Sequence, residues 1–346
     1  MSQFPEKSAT VTGSSRSTGS ITLEDVAKLA GVSPITVSRV INYPEKVAQK
    51  TIDKVQQAIE RTGYVPNMLA GGLASSRSML VAAIVPSIEN SIFAETIQHF
   101  SDRLWEAGYQ VLLGVSGYPA IREDALLSAI LSRRPDAIFL TGIEHSADSR
   151  RKLLAAKIPL VETWDISPSP LDIIVGFSHI KVGQAVADYL IGKGYRNIGM
   201  VTADDQRAAV RRHGFLSALA RHGITNVPVS LVQAPTNLRQ GRSGLSKLLD
   251  GGFGSGAIFC SSDILAQGVL AEAQSRKLSI PGELAIMGFA DQKFAAHTFP
   301  TLSTVRIDRV AIGVKAAEAL LARIQGQTDL ERVVDVGFEI IERETT

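Results

Sequence analysis

Short apolar runs alternate with longer segments of helical periodicity from residue 79 to the end of the chain. The runs LVAAIVP, DAIFLTG, RNIGMVT and GAIFC have the length of buried strands, and a helical segment follows each of them. Such alternation predicts parallel sheets covered by helices. Gly108 and Gly194 each end a helical segment and lead into the next strand, so the second half echoes the first. We therefore predict an α/β fold with two doubly wound subdomains and a ligand crevice at the carboxyl ends of their strands.

The stretch ITLEDVAKLAGVSPITVSRVIN near the N-terminus reads as two short helices joined by a tight turn. Thr22 with Asp25 has the form of a capping box, and Gly31 can end the first helix in the left-handed conformation. This pattern indicates an all-α helix-turn-helix headpiece whose second helix can enter a major groove. An ordinary helical hairpin is the alternative. The residues of the turn and second helix that we expect to contact DNA are Ser33, Pro34, Ile35, Thr36, Ser38, Arg39 and Asn42.

The domain boundaries follow from changes in pattern along the chain. Residues 1–20 are rich in Ser, Thr and Gly and lack the apolar centre of a signal peptide, so we expect a disordered leader. After Leu302 a strand, a long helix and a final strand, RVVDVGFEII, remain and can cross back to complete both sheets. The other expected parts are the headpiece (21–66), a hinge helix or linker (67–78) and a core (79–346), made of an N-subdomain (about 79–177 plus 306–335) and a C-subdomain (about 178–305 plus 336–346).

Composition narrows the class of protein. The chain of 346 residues has a formal net charge of +2 and no apolar run long enough to span a membrane. Residues 1–66 hold eight Lys or Arg against six Asp or Glu, so the small basic excess lies at the helix-turn-helix end. The single cysteine, Cys260, lies in an apolar strand, where a buried structural thiol is expected. We expect a cytoplasmic protein without membrane contact.

No catalytic constellation stands out in the sequence. There is no GxSxG, P-loop or HExxH motif, and the six histidines are scattered. We therefore expect neither an enzyme nor a metal or other cofactor. Phe93 at a helix start, and Arg207 with Arg211 on the first turns of another helix, favour ligand binding instead. The alternatives for these two features are a plain surface loop and a solvated basic helix face.

The chain resembles the lactose/galactose repressor family of bacterial transcription regulators over nearly its whole length after residue 20. The resemblance is carried by TLEDVAKLAGVSPITVSRVIN, by GYVPN at residues 63–67 and by a core like that of periplasmic binding proteins. The segments PLVET, DIIVGFSH and VVDVGF are similar to regulators of gluconate and ketogluconate use. The resemblance implies three partners: double-stranded operator DNA, a small sugar or sugar-acid effector, and a second copy of the chain in a homodimer.

The family pattern implies further DNA-binding residues outside the second helix. It places Thr22 and Leu23 at the start of the first helix, against phosphate. Leu73 matches the leucine that members wedge into the minor groove, with Ala74 beside it. Asn67, at the end of GYVPN, belongs to the same set.

The family pattern also implies an effector pocket in the core. Arg211 matches the arginine that holds the effector, and Phe177 matches an aromatic residue of the pocket rim. The residues that we assign to effector binding are Ile92, Phe93, Glu162, Trp164, Phe177, Arg207, Arg211, Thr236, Ser262, Asp263 and Asp291.

The sequence departs from the family pattern at two places that bear on recognition. Pro34-Ile35 stands where many members carry a polar pair, so contact with a thymine methyl group can replace a hydrogen bond. Ala290 stands where a carboxylate often follows a strand, although Asp291 is next to it. The loss of one acid near two arginines favours an anionic effector such as a sugar acid, with gluconate preferred.

Together these patterns predict a dimeric repressor of a carbohydrate catabolic operon that leaves its operator when the effector binds. Induction is favoured over co-repression, although the sequence does not fix the sign. A tetramer is not expected, because no heptad tail follows the last strand. The alternatives are a solute-binding protein with an incidental helical N-terminus and a sugar-modifying enzyme on the same architecture.

Overall fold

The computed structural model of the chain describes residues 21–66, 77–89, 91–117 and 120–346. The chain divides into two compact units, residues 1–78 and 79–346. The expected leader and residues 67–76 of the expected hinge lie outside the described residues. In the part of the chain that is described, no helix is both long and apolar enough to cross a membrane.

The first unit contains the predicted pair of short helices and a third helix. Its elements are α1 (Leu23–Ala30), α2 (Pro34–Asn42), a 3-10 turn (Pro44–Lys46) and α3 (Gln49–Thr62). The capping box before α1 is confirmed, because Thr22 and Asp25 exchange side-chain and backbone hydrogen bonds. Gly31 ends α1 with φ 68°, and Ser33 caps α2. The turn between the two helices is therefore fixed by local chemistry.

A small apolar core joins the three helices of the headpiece. Its buried members come from all three helices: Val26, Ala27, Val37, Val40, Ile52, Val55 and Ala58. They lie at helical spacing, so each helix buries one stripe and leaves the other face exposed.

The first sheet of the second unit is parallel and has helices on both faces. Its strands are β1 (Leu80–Val85), β2 (Gln110–Val115), β3 (Ala137–Thr141), β4 (Leu160–Thr163), β5 (Ile173–Gly176) and β11 (Val333–Asp335), in the spatial order β11-β5-β4-β3-β1-β2. The helices between them are α4 (Ser91–Glu106), α5 (Ala120–Leu131) and α6 (Ala147–Ala156). Alternate residues of β1 enter two separate core clusters, Val81 and Ala83 in one, Ala82 and Ile84 in the other. Both faces of the sheet are therefore covered, as parallel strands require.

The second sheet repeats this plan with four parallel strands. They are β6 (Ile198–Ala203), β7 (Val229–Val232), β8 (Gly256–Cys260) and β9 (Leu284–Met287), in the order β7-β6-β8-β9. The accompanying helices are α7 (His179–Gly192), α8 (Gln206–Arg221), α9 (Leu238–Asp250) and α10 (Asp263–Ser275). The two doubly wound sheets confirm the predicted fold class.

The C-terminal segment returns to both halves of the core, but in more pieces than expected. It contains β10 (Thr304–Arg306), α11 (Arg309–Ile324), β11 and β12 (Glu339–Ile341). The run RVVDVGFEII, predicted as one strand, is broken at Gly337, which has φ 67°. Its first part pairs in parallel with β5, and its second part pairs antiparallel with β10. Gly337, in the left-handed conformation, lies between these two short strands and separates them.

Glycines allow α7 and α8 to approach closely. A Cβ on Gly183 would stand 2.1 Å from the carbonyl oxygen of Arg211, and one on Gly214 would stand 2.3 Å from that of Ile180. These are backbone atoms, so the clash can be relieved only by moving one helix. The pair of glycines therefore fixes the position of α8, which carries Arg207 and Arg211.

We expect Gly183→Ala to lower the free energy of unfolding by about 1–3 kcal/mol, the usual cost of overpacking. Gly192→Ala, on the same helix, is the matched control, because nothing lies within 4 Å of its ideal Cβ. Denaturant unfolding of both variants checks the prediction. Equal stability of the two would show that the helices separate without cost.

Candidate functional site

One face of α2 is exposed and carries five of the seven residues of the turn and second helix that were predicted to contact DNA. Pro34, Ile35, Ser38, Arg39 and Asn42 are spaced so that they share this face, and the Ile35 side chain is 67% exposed. Val37 and Val40 point the other way and are buried. The face combines an apolar group, hydroxyl and amide groups and a cation, which are the groups that contact thymine methyls, base edges and phosphates.

Hydrogen bonds within the headpiece already engage several polar groups of this surface. The amide of Asn42 donates to the carbonyl and hydroxyl oxygens of Ser38, at 2.9 and 3.3 Å. The hydroxyls of Ser33 and Thr36 lie 2.9 Å apart. These contacts set the rotamers of the exposed side chains before any ligand is present.

The residues predicted to contact DNA from outside α2 have different surroundings. Thr22 is exposed at the start of α1, whereas Leu23 is partly buried and packs on the headpiece core. Leu23 therefore contributes to the packing of the headpiece core. Asn67, Leu73 and Ala74 lie outside the described residues.

A pocket lies in the second unit at the carboxyl ends of strands from both sheets, and it encloses about 50 Å³. Its walls include residues from the segments that follow β1, β4, β6, β8 and β9. Gln292, after β9, also donates from Nε2 to the hydroxyl of Ser91 at the start of α4, at 2.6 Å. The lining is Ile92, Phe93, Trp164, His179, Ala203, Asp205, Arg207, Arg211, Ala234, Thr236, Ser261, Ser262, Phe289, Ala290 and Gln292.

Arg211 is the buried cation of this pocket. Its Nη1 donates to Nδ1 of His179 at 2.8 Å, and its Nη2 donates to the carbonyl oxygen of Ser261 at 3.0 Å. The guanidinium carbon lies 3.9 Å from the ring centroid of Phe289. Burial lowers the pKa of Arg211 to about 10, so the group stays charged at neutral pH. Three neighbours thus hold the guanidinium in one orientation.

His179 orients Arg211 as a neutral ring. Its Nε2 lies 2.9 Å from the carbonyl oxygen of Trp164, so this nitrogen carries the proton and donates. Nδ1 is then an acceptor, as the bond from Arg211 requires. Burial, together with the charges of Arg211 and Arg207, holds the pKa of His179 well below its ordinary value. The histidine therefore adds no positive charge to the pocket.

Two buried N–H groups of the pocket lack acceptors. Among the described residues, neither Nε of Arg211 nor Nε1 of Trp164 has a hydrogen-bond partner. Arg211 is 5% exposed and Trp164 is 2% exposed. Buried donors are nearly always satisfied, and leaving one unpaired costs free energy. An acceptor that enters the pocket, such as a carboxylate or hydroxyl oxygen, would satisfy these donors.

Arg207 supplies a second cation at the edge of the same pocket. It is half-buried, and its guanidinium carbon lies 5.4 Å from the ring centroid of Phe93. Asp205 caps α8 by accepting a hydrogen bond from the amide of Ala208 at 3.1 Å. Two arginines face one aspartate, so the charges that line the pocket favour an anion.

The structure brings seven of the eleven predicted effector residues to the pocket lining. They are Ile92, Phe93, Trp164, Arg207, Arg211, Thr236 and Ser262. Phe177 lies behind this lining, with its ring 6.0 Å from Trp164 and 4.6 Å from His179. Its role is to support the rings that form the wall.

Three acidic residues that were predicted to bind the effector do not line the pocket, because their carboxylates contact other residues. This corrects their assignment to the effector site. Glu162 lies on the face of β4 opposite Val161, accepts a hydrogen bond from Leu171 and lies 3.6 Å from His145. Asp263 is fully buried and accepts hydrogen bonds from Thr304 and from the backbone of Gln292. Asp291 pairs with Arg306 and Arg343. Strand alternation and these ion pairs turn the carboxylates away from the pocket.

Sequence reasoning missed several residues of the lining. His179 directly follows the GFS segment after β5, so the convergence of strand ends could have selected it. Phe289 and Gln292 follow β9 in the same way. The other lining residues that were not predicted are Ala203, Asp205, Ala234 and Ser261, together with Ala290, which was noted only as a missing carboxylate.

The chain is similar to known sequences over both of its units. Residues 22–67 match the family described as "Bacterial regulatory proteins, lacI family", and residues 187–346 match "Periplasmic binding protein-like domain". The chain is 37% identical to the HTH-type transcriptional regulator GntR of Pseudomonas aeruginosa, with 96% of this chain and 97% of the relative covered. It is 31% identical to GntR of Escherichia coli, with 92% and 96% covered.

Solved structures with a similar fold include regulators of this kind. A LacI-family regulator from Silicibacter pomeroyi superposes with a TM-score of 0.89 at 33% identity, covering 94% of this chain and 99% of that one. The transcription regulator GntR from Chromobacterium violaceum gives 0.74 at 35% identity, with 77% and 98% covered. The lac repressor dimer bound to operator gives 0.80 at 22% identity, with 94% and 99% covered, and so shares the fold.

Proposed function

Since this chain belongs to the lacI family of bacterial DNA-binding transcription regulators, we propose that it represses a carbohydrate catabolic operon and is released by a sugar acid. The exposed face of α2 reads the operator. The pocket between the two sheets takes the effector, with a gluconate-like acid preferred because the GntR proteins are among the similar regulators. Release requires that the effector bind more tightly to the form with low operator affinity.

The observation that carries the choice of effector is the unpaired Nε–H of Arg211 in a pocket with excess positive charge. A carboxylate accepts from such a donor and gains a charge-assisted hydrogen bond. The Nε1–H of Trp164 offers a second donor to the same ligand. Ala290 contributes no charge to the lining, so no acid there competes with the ligand for the two arginines.

We expect calorimetry on the full chain to rank gluconate and 2-ketogluconate above glucose. Tighter binding of the neutral sugar would end the proposal. Effector-dependent release is measured in the same preparation by operator binding with and without gluconate. An operator affinity that rises with gluconate would indicate co-repression instead.

Ala290→Asp tests the charge argument directly. A carboxylate at Ala290 would meet the ligand's carboxylate, so we expect gluconate binding to weaken about tenfold or more in calorimetry, with glucose little affected. Ala290 has φ 104°, and Asp and Asn tolerate positive φ better than most residues, so Ala290→Asn is the matched neutral control. Equal losses for Asp and Asn would attribute the effect to shape and contradict the role of charge.

We also propose that the regulator works as a homodimer whose two headpieces contact half-sites about one helical turn apart. Support comes from exposed apolar side chains on α4 and on the edge strand β2, namely Trp105, Leu113 and Val115. Sedimentation equilibrium on the full chain tests this. A monomer at micromolar concentration would contradict it.

A further inference from the structure

A wider cleft adjoins the effector pocket and is strongly acidic. It encloses about 650 Å³ and shares Asp205, Arg207 and Ala234 with the pocket, so the two spaces adjoin at these residues. We call it the acidic mouth. The carboxylates that line it come from both halves of the second unit: Glu89, Glu123, Glu144, Asp165, Asp204 and Asp205. The cations that line it are Arg122 and Arg207.

The charges of the two spaces have opposite signs. The pocket carries Arg207 and the buried Arg211 against one carboxylate, whereas six carboxylates face two arginines in the mouth. Glu123 is partly neutralised, because its Oε1 lies 2.7 Å from Nδ1 of His145. Glu144 and Asp204 are exposed residues of the mouth, and Oδ1 of Asp204 accepts a hydrogen bond from the backbone of Ala234 at 2.7 Å. The cavity therefore changes from positive at its floor to negative at its opening.

Asp165 lines the acidic mouth and lies close enough to the two arginines of the pocket to feel their charges. Burial raises its pKa to about 6, and the charge of Glu144 acts in the same direction. Arg207 and Arg211 oppose the shift but do not cancel it. A further anionic group placed here would add to this repulsion.

A sugar acid held at Arg211 must extend into this mouth. The pocket offers about 50 Å³ and the adjoining mouth about 650 Å³, so most of the room for the rest of a ligand held at Arg211 lies in the mouth. The hydroxyl-bearing remainder then lies among carboxylates. These oxygens accept hydrogen bonds from hydroxyl groups but repel a second anion.

We propose that the acidic mouth makes the regulator select unphosphorylated sugar acids and reject their phosphate esters. A terminal phosphate carries about −1.5 to −2 charges at pH 7 and would meet the carboxylates of the mouth while the other end is held by Arg211. This inference rests on the proposed function. Under this inference, Glu144 and Asp204 repel a second anionic group, whereas the pocket residues bind the ligand's carboxylate.

The test compares gluconate with gluconate 6-phosphate by calorimetry on the full chain. The wild type is expected to bind the phosphate ester at least about tenfold more weakly than gluconate. The double variant Glu144→Gln, Asp204→Asn should narrow this ratio severalfold by improving the affinity for the ester. Glu106→Gln with Asp250→Asn is the matched control, because it removes the same charge from exposed positions that do not line the cleft.

The possible results of this test distinguish a failure of the inference from a failure of the proposed function on which it rests. Gluconate binding with equal or tighter binding of the ester would overturn the inference and leave the proposed function intact. An equal change of the ratio in the control would also overturn it, because net charge would then explain the selection. Failure of both ligands to bind, in a protein that unfolds cooperatively, would contradict the proposed function and the inference with it.

Discussion

Arg211→Met is expected to weaken gluconate binding by roughly a hundredfold or more while leaving operator binding in place, so that the variant represses and does not respond. Arg211 is the buried cation of the pocket, and its Nε–H is the donor that awaits an acceptor. Methionine fills much of the same volume without a charge. Without the guanidinium, a ligand carboxylate would enter a buried site with no direct partner, which is strongly unfavourable. Calorimetry and operator titration on the same preparation measure both effects.

Arg221→Met is the control for this prediction. Arg221 ends the same helix, α8, and is exposed, so its replacement removes the same charge and leaves the pocket unchanged. The control should bind gluconate as the wild type does and should be released from the operator by it. If Arg211→Met still responds to gluconate at wild-type concentrations, the effector is held by other groups and the assignment of the pocket is wrong.

The sequence alone predicted the main helices and strands and the general position of the site. Strand and helix periodicity predicts the two sheets, because each buried strand is a local apolar run. Carboxyl ends of parallel strands must converge, which explains why Ile92, Trp164 and Ser262 line one pocket despite their distance in sequence. The division of the last strand at Gly337 was missed, because apolar residues continue on both sides of that glycine.

Side-chain direction and partners could not be predicted in the same way. Glu162 was assigned to the pocket, but strand alternation turns it to the opposite face, where it meets His145 and Leu171. Whether Asp291 faces a ligand depends on Arg306 and Arg343, which come from distant segments. Such tertiary pairs leave no mark on local sequence patterns, whereas caps and turns do.

The second large effect is expected from a substitution in the headpiece, and it concerns operator binding. Arg39→Glu should weaken operator binding by roughly a hundredfold or more, because a base or phosphate contact is worth about 1–3 kcal/mol and a dimer makes it twice. Arg39 is exposed beside Ile35 and Ser38 on α2, while the buried Val37 and Val40 hold the helix in place. The substitution therefore changes the reading surface without removing a core residue. Gluconate affinity should not change, since Arg39 belongs to the other unit.

The salt dependence of operator binding distinguishes a direct contact by Arg39 from a general effect of net charge. Losing one cation per headpiece should reduce the slope of log affinity against log salt by about one for each headpiece. Arg61→Glu is the control, because Arg61 is exposed at the end of α3 and makes the same change in net charge away from α2. Fluorescence anisotropy with operator and random duplex measures both quantities. Equal losses for the two variants, on both duplexes, would mean that α2 does not read the operator and that the headpiece acts only through its charge.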